Sequence, residues 1–220
     1  MHLPPSTLLR PFFLRPCRWR PALVGALTLL LSLSPALADD TRQRAAVALE
    51  KAQVLESSAS DVGGVTPPPA GVALTPDGVR AVDPRGQAPL DDAITCLARS
   101  VYWEAKGTGQ GEMEAVASVV MNRLGSGRFP STLCDVVQEG SETGRCQFSW
   151  WCDGRPDQAR EMSEYALSRE IARQALNGNL EDNTRGALFF HNRGLNPSWM
   201  SNFVRTAQSR EFNFYRPPSE

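Results

Sequence analysis

The residues that build a protein core are concentrated in one continuous stretch of this 220-residue chain, from about Asp91 to Arg216. The stretch contains four of the five cysteines and most of the aromatic residues that follow the first 38 positions. A segment of roughly 125–130 residues is long enough to bury a hydrophobic core. We therefore predict one globular domain and place it at residues 91–220.

The first 38 residues have the three parts of a secretory signal peptide. Four arginines and no acidic residue form a basic start, residues 22–34 (ALVGALTLLLSLS) are apolar, and Ala36-Leu37-Ala38 supplies the small residues of a cleavage site. The apolar run is short for a membrane span, and an uncleaved anchor is the alternative. In either case we expect the domain outside the cytoplasm, in the periplasm or in the extracellular cell wall, with no stable membrane span after cleavage.

Residues 39–90 have a less regular apolar pattern than the domain that follows them. Residues 41–56 predict a short helix, whereas residues 57–90 are rich in proline, glycine and serine and have no sustained apolar period. We predict that this second part is a linker, or an arm that becomes ordered by contact with the domain.

The charge of the exported chain argues against one class of partner. Cleavage after Ala38 removes four of the 23 basic residues and none of the 24 acidic ones, which leaves a formal charge of −5. Proteins that bind nucleic acids carry a strongly basic surface. We therefore expect no nucleic-acid partner.

Cys96, Cys134, Cys146 and Cys152 remain after cleavage. An even number of cysteines in an exported chain predicts two disulfides, for which three pairings are possible. A structural zinc site is the alternative, but the spacings lack paired C-x-x-C motifs and His191 is the only histidine left. We expect disulfides, no metal and no other cofactor.

Apolar residues at helical spacing predict a mainly helical α+β domain with a small β element. Helix-capping residues, glycines and prolines set the expected limits of the elements. The predicted elements are a helix from Asp91 or Asp92 to near Gly107, a helix over 111–124, a long helix over 158–177 capped by Asp157, a helix from Asn196-Pro197 to Ala207, and one strand within 186–192.

Glu104 lies in the last turn of the first predicted helix, directly after Tyr102 and Trp103. The partial negative charge of a helix C-terminus disfavours an ionised carboxylate, and burial against aromatic rings has the same effect on the pKa. A carboxylic acid that stays protonated near neutral pH is what general-acid cleavage of a glycosidic bond requires. Position alone is a weak signal, because most glutamates in a last helical turn are simply solvated.

A second cluster of interest is RCQFSWWCDG, residues 145–154. If Cys146 and Cys152 are bonded to each other, they close a tight loop that presents aromatic rings, an amide and a hydroxyl. Such groups suit sugar binding, because apolar ring faces stack and sugar hydroxyls take hydrogen bonds. The alternative is that the aromatic side chains of this loop fill the core.

These motifs together resemble the SleB-like cell wall hydrolase family, which includes spore-cortex-lytic enzymes. The resemblance covers residues 92–216 and leaves the arm before residue 91 outside. It rests on CLARSVYWEAKGTGQGEMEAVASVVMNRL (96–124), RFPSTLCDVV (128–137), CQFSWWCDG (146–154), DNTRGALFFH (182–191), NPSW (196–199) and FNFYR (212–216), in this order.

The resemblance implies a lysozyme-like catalytic domain that acts on peptidoglycan glycan strands. The essential acid of the family falls on Glu104, and its members look more like lytic transglycosylases than two-carboxylate hydrolases. In that reaction one acid protonates the glycosidic oxygen, and the 6-hydroxyl of the muramic acid closes a 1,6-anhydro ring. The candidate substrate-binding residues are Tyr102, Trp103, Gln147, Phe148, Ser149, Trp150, Asp153 and His191.

Further expectations concern supporting residues. We favour disulfides Cys96–Cys134 and Cys146–Cys152. Asp153 is the best candidate for a second carboxylate, although a turn aspartate bonded to its own backbone is the alternative. Asn122 is interpreted as a structural hydrogen-bond bridge near the acid.

The chain departs from the family pattern at Phe189, Phe190 and Phe212, where relatives carry tyrosine or histidine. A non-catalytic peptidoglycan-binding domain is therefore one alternative function. Another is an N-acetylmuramoyl-L-alanine amidase, which would need a zinc site with several His and acidic ligands, and the single histidine argues against it.

Overall fold

The computed structural model describes residues 34–61 and 69–218. Ala38–Glu220 forms one compact unit, and the fold given below is that of its described part. The signal peptide lies mostly outside the described residues, so it stays a prediction. None of the described helices has both the length and the apolar character needed to cross a membrane.

The described residues form a mainly helical α+β fold, which confirms the predicted fold class. The helices are α1 (Ser34–Ser60), α2 (Pro76–Ala81), α3 (Ala93–Ala105), α4 (Gln110–Gly125), α5 (Leu133–Gln138), α6 (Ser149–Cys152) and α7 (Met162–Leu176), and short 3-10 helices span Ser141–Thr143 and Ser198–Asn202. The strands are β1 (Phe189–Asn192), β2 (Val204–Gln208) and β3 (Phe212–Arg216).

Helix α3 is the centre of the fold. It begins where the sequence predicted, because the Asp92 side chain accepts a hydrogen bond from the Thr95 N–H at 2.9 Å and caps the helix. Nearly every residue of α3 is buried, since the helix packs against α4, α5 and α7. A disulfide between Cys96 and Cys134 also ties α3 to α5. Residues near the end of α3 are therefore held on a fixed element.

The three strands form an antiparallel sheet in the order β1-β3-β2, with Phe190 opposite Phe214. The helix predicted from Asn196-Pro197 to Ala207 is wrong, because only the 3-10 turn Ser198–Asn202 forms and β2 follows it. The prediction of a single strand is also wrong. Pairing on both sides of β3 buries its aromatic side chains, and these long-range contacts outweigh the helical spacing of the apolar residues.

Helix α7 begins later than predicted, at Met162 instead of near residue 158, and Asp157 is not its cap. The Asp157 carbonyl oxygen accepts hydrogen bonds from Arg99 Nη1 at 2.5 Å and from Trp103 Nε1 at 3.0 Å. Contacts with α3 therefore hold the backbone at Asp157 outside the helix.

The segment predicted as a linker or contact-ordered arm is ordered over residues 69–90. It contains α2, and Leu74, Val79 and Val82 belong to the hydrophobic core. Asp83 accepts hydrogen bonds from Arg99 Nη2 at 2.8 Å and from the Tyr165 hydroxyl at 2.7 Å. This segment completes the domain core.

Candidate functional site

A cleft of about 640 Å³ lies between the end of α3, helix α4, the loop before α6 and the sheet. It combines one acidic, one basic and several aromatic side chains. The lining residues are Glu104, Thr108, Arg123, Cys146, Gln147, Phe189, Phe190, His191, Asn192, Leu195, Trp199, Phe203 and Phe212.

Glu104 is the only carboxylic acid among the described residues that line the cleft. Its carboxyl group makes no hydrogen bond or ion pair within the described part of the chain. Burial raises the pKa of Glu104 from 4.5 to about 7, and the charge of Arg123 opposes this rise. In a large fraction of the molecules the Glu104 carboxyl group is therefore protonated near neutral pH.

Gly107 lets the chain turn away directly after the acid. Helix α3 ends at Ala105, and the Thr108 N–H bonds the Ala105 carbonyl oxygen at 3.2 Å to close the last turn. Gly107 has φ of +78°, which favours glycine, and the space where a side chain would stand is open. This turn leaves Glu104 beside open space.

Arg123 on α4 brings a positive charge to the same cleft. Its guanidinium lies over the rings of Phe129, Phe148 and Phe189, at 5.1, 4.9 and 5.6 Å from their centroids. Its Nε donates a hydrogen bond to the Leu188 carbonyl oxygen at 2.7 Å. The sequence motif alone gave no reason to single out Arg123, because its role depends on residues far apart in the chain.

Trp199 and Phe203 form an aromatic wall together with Phe189. The Phe189 ring centroid lies 4.8 Å from that of Phe203 and 6.0 Å from that of Trp199. Sequence reasoning missed Trp199 and Phe203 as cleft residues, although the NPSW motif pointed to this region. Their position arises from the 3-10 turn that replaces the predicted helix.

Two of the predicted substrate-binding residues line the cleft, Gln147 and His191. Gln147 is exposed and directly follows Cys146, which is bonded to Cys152 as favoured from the sequence. Two hydrogen bonds fix the His191 ring. Its Nδ1 lies 2.8 Å from the Asn192 carbonyl oxygen, and its Nε2 lies 3.0 Å from the Tyr215 hydroxyl oxygen. The imidazole therefore presents a fixed ring to the cleft.

Tyr102 and Trp103 do not line the cleft. Tyr102 is completely buried, and its hydroxyl hydrogen-bonds Glu161 and the Arg160 N–H. The Trp103 ring stacks on that of Trp150 at 6.4 Å. Both side chains hold the region before α7 against α3.

The remaining predicted residues of the 146–154 loop also lie outside the cleft lining. Phe148 is buried beneath the Arg123 guanidinium, and Trp150 is buried against Trp103. Ser149 is exposed at the start of α6. Asp153 accepts a hydrogen bond from the Arg155 N–H at 2.8 Å, the arrangement of a turn aspartate.

Asn122 supports the cleft from α4. Its Nδ2 donates hydrogen bonds to Asp182 Oδ2 at 3.0 Å, Thr184 Oγ1 at 3.3 Å and the Ala187 carbonyl oxygen at 3.2 Å. These contacts anchor the loop that leads into β1. Asn122 therefore has the structural bridging role that its motif position suggested.

The residues present do not form an evident metal site. Within residues 34–61 and 69–218, no group of three or more His, Cys, Asp or Glu side chains is arranged to hold a metal ion. The four cysteines of the domain are paired in disulfides Cys96–Cys134 and Cys146–Cys152.

Comparison with known sequences gives one family match. The family described as Cell Wall Hydrolase matches residues 107–215, which include every cleft residue except Glu104. No match was found among curated proteins or among solved structures. Through residues 107–215, the chain belongs to the cell wall hydrolase family of the SleB type.

Proposed function

We propose that this protein cleaves the β-1,4 bond between N-acetylmuramic acid and N-acetylglucosamine in peptidoglycan glycan strands, with Glu104 as the general acid. The observation that carries the proposal is the half-buried Glu104 side chain in the cleft, whose pKa is raised to about 7 by desolvation. Membership of a cell wall hydrolase family supports the substrate class.

A protonated acid is required for the first step of this reaction. The Glu104 carboxyl donates its proton to the glycosidic oxygen while the bond from C1 of muramic acid to that oxygen breaks. The free sugar hydroxyl leaves, and positive charge develops at C1. The ionised Glu104 carboxylate can then stabilise this charge electrostatically.

Lytic transglycosylation fits the cleft better than two-carboxylate hydrolysis. Glu104 is the only carboxylic acid among the described lining residues, and Asp153 is bonded into a turn outside that lining. In transglycosylation the muramic acid 6-hydroxyl attacks C1, and its proton returns to the Glu104 carboxylate. The products are a 1,6-anhydro end and a free sugar end, with no water consumed and no protein nucleophile required.

The aromatic wall supports a sugar ligand. Phe189, Trp199 and Phe203 present rings to the cleft, and Gln147 adds an exposed amide. Aromatic rings stack on the apolar faces of sugars, and the amide can hydrogen-bond the hydroxyls. Phe189, one of the three phenylalanines that depart from the family pattern, adds an apolar ring to this wall.

Digestion of purified sacculi tests the proposal. We expect the protein to release soluble muropeptides that end in 1,6-anhydromuramic acid, identified by mass spectrometry. Reducing muramic acid ends would show hydrolysis and contradict the transglycosylation step. Free peptides with intact glycan strands would show amidase activity, which a metal chelator should then abolish. Binding to sacculi without any product would favour a non-catalytic domain.

A further inference from the structure

An unpaired cation lies in the same cleft as Glu104. Arg123 is only 3% exposed, yet its guanidinium makes a single hydrogen bond to a described residue, from Nε to the Leu188 carbonyl oxygen. Nη1 is completely buried and has no partner among the described residues. A buried charge without a partner is unfavourable. Because Arg123 lines the cleft, a ligand oxygen that reached the open side of the guanidinium would give this charge a partner.

The acids near Arg123 do not supply that oxygen. Arg123 forms no ion pair within the described residues, and Glu139 Oε2 is itself buried without a partner there. Glu104 and Glu139 act on Arg123 only through longer-range attraction, which partly offsets the burial that lowers the pKa of Arg123 to about 10. The guanidinium remains charged, and its side chain lines the cleft.

The surroundings of the guanidinium define the group that fits. The rings of Phe129, Phe148 and Phe189 enclose it with apolar surface, while two acids already lie nearby. A ligand carboxylate would add a third negative charge to this region. A neutral amide adds a carbonyl acceptor without charge, and its methyl group can pack against the rings.

We propose that Arg123 binds the 2-acetamido group of an N-acetylated sugar, donating hydrogen bonds from its guanidinium to the acetamido carbonyl oxygen. The proposal rests on the proposed function, because it places an N-acetylhexosamine next to Glu104. It assigns to Arg123 the selection of N-acetylated over unmodified β-1,4-linked glycans. A sugar with a hydroxyl at C2 lacks both the carbonyl oxygen and the methyl group.

The test is a binding experiment with two neutral probes that differ at C2. Calorimetry with the Glu104→Gln protein compares the β-1,4-linked tetramer of N-acetylglucosamine with the tetramer of glucose. Hydrogen bonds to charged groups predict tighter binding of the acetylated tetramer by roughly 10- to 100-fold. Adding Arg123→Lys, which keeps a charge but loses the planar donors, should reduce this preference to about threefold or less.

Arg128→Lys is the matched control, because Arg128 is exposed and lies outside the cleft lining. It should keep the full preference, and thermal unfolding checks that each variant is folded. If Arg123→Lys does not fold, the NMR chemical shift of the Arg123 Nε–H in the Glu104→Gln protein tests the contact instead. That signal should shift with the acetylated tetramer and stay unchanged with the glucose tetramer.

Equal binding of the two tetramers, full preference in a folded Arg123→Lys protein, or an unchanged Arg123 signal would overturn the proposal. None of these readouts requires bond cleavage. An Arg123-dependent preference without any product from sacculi would refute the proposed function alone. Products from sacculi without the preference would refute the role of Arg123 alone.

Discussion

Replacement of Glu104 by glutamine is expected to reduce muropeptide release from sacculi by at least about 100-fold, since general acids contribute roughly 10²- to 10⁴-fold to such reactions. Glutamine has nearly the same shape, but it cannot donate the proton that the leaving oxygen needs. Burial raises the pKa of the native carboxyl to about 7, so a large fraction of the native protein retains this proton near neutral pH. The measurement is the initial rate of soluble product formation, followed by chromatography.

Glu114→Gln is the matched control for this variant. Glu114 lies on α4, accepts a hydrogen bond from Gln110 Nε2 at 2.7 Å and is absent from the cleft lining. Its replacement should leave the rate within about twofold of the original, the effect of a surface change of a few tenths of a kcal/mol. A Glu104→Gln protein that released muropeptides at the original rate would refute the assignment of the acid.

Asp83→Asn is expected to lower the free energy of unfolding by about 3–5 kcal/mol, the typical cost of removing one partner of a buried ion pair. The side chains of Asp83 and Arg99 are both only 2% exposed, and their ion pair has a length of 2.8 Å. The substitution removes the negative charge and leaves the buried Arg99 cation uncompensated. Asparagine tolerates the positive φ of 42° at this position, so the backbone turn is preserved. Urea unfolding followed by circular dichroism measures the change.

The control for this second variant is Asp77→Asn. Asp77 pairs with Arg80 at 2.5 Å, but both side chains are exposed, and exposed ion pairs contribute little to stability. Its unfolding midpoint should not move measurably. An Asp83→Asn protein as stable as the original would show that the buried pair does not hold residues 69–90 on the domain.

This ion pair also bears on the domain boundary. Asp83 precedes the predicted start of the domain at residue 91, whereas Arg99 and Tyr165 lie inside it. Residues 91–220 alone would leave Arg99 buried without its carboxylate. Residues 69–90 therefore pack with the domain core, as expected for the arm ordered by contact that was one of the two interpretations of this segment.

The helices that carry the cleft were predictable from local sequence. Apolar periodicity and a cap at Asp91 or Asp92 predicted α3, whose cap is Asp92, and α4 differs from its predicted limits by only a residue at each end. The predicted limits of α3 also placed Glu104 in the last turn of this helix. Helix periodicity and capping depend on residues that are close together in the chain, so they can be recognised in a single sequence.

The other parts of the site depend on contacts between distant residues. β3 forms because it pairs with β1 on one side and with β2 on the other, and Trp199 and Phe203, which precede β2, line the cleft. Tyr102 and Trp103 were expected at the cleft because they adjoin Glu104. Successive helical residues point in different directions, and these two face the region before α7.

The pH dependence of kcat/KM for muropeptide release tests the central claim most directly, because it reports the ionisation of the essential acid in the free enzyme. Activity requires the protonated carboxyl of Glu104, and burial raises its pKa to about 7. The account predicts full activity below this pKa and a decline of about tenfold per pH unit above it. A value of kcat/KM that stays constant from pH 6 to about pH 9, two units above that pKa, would contradict general-acid catalysis by Glu104.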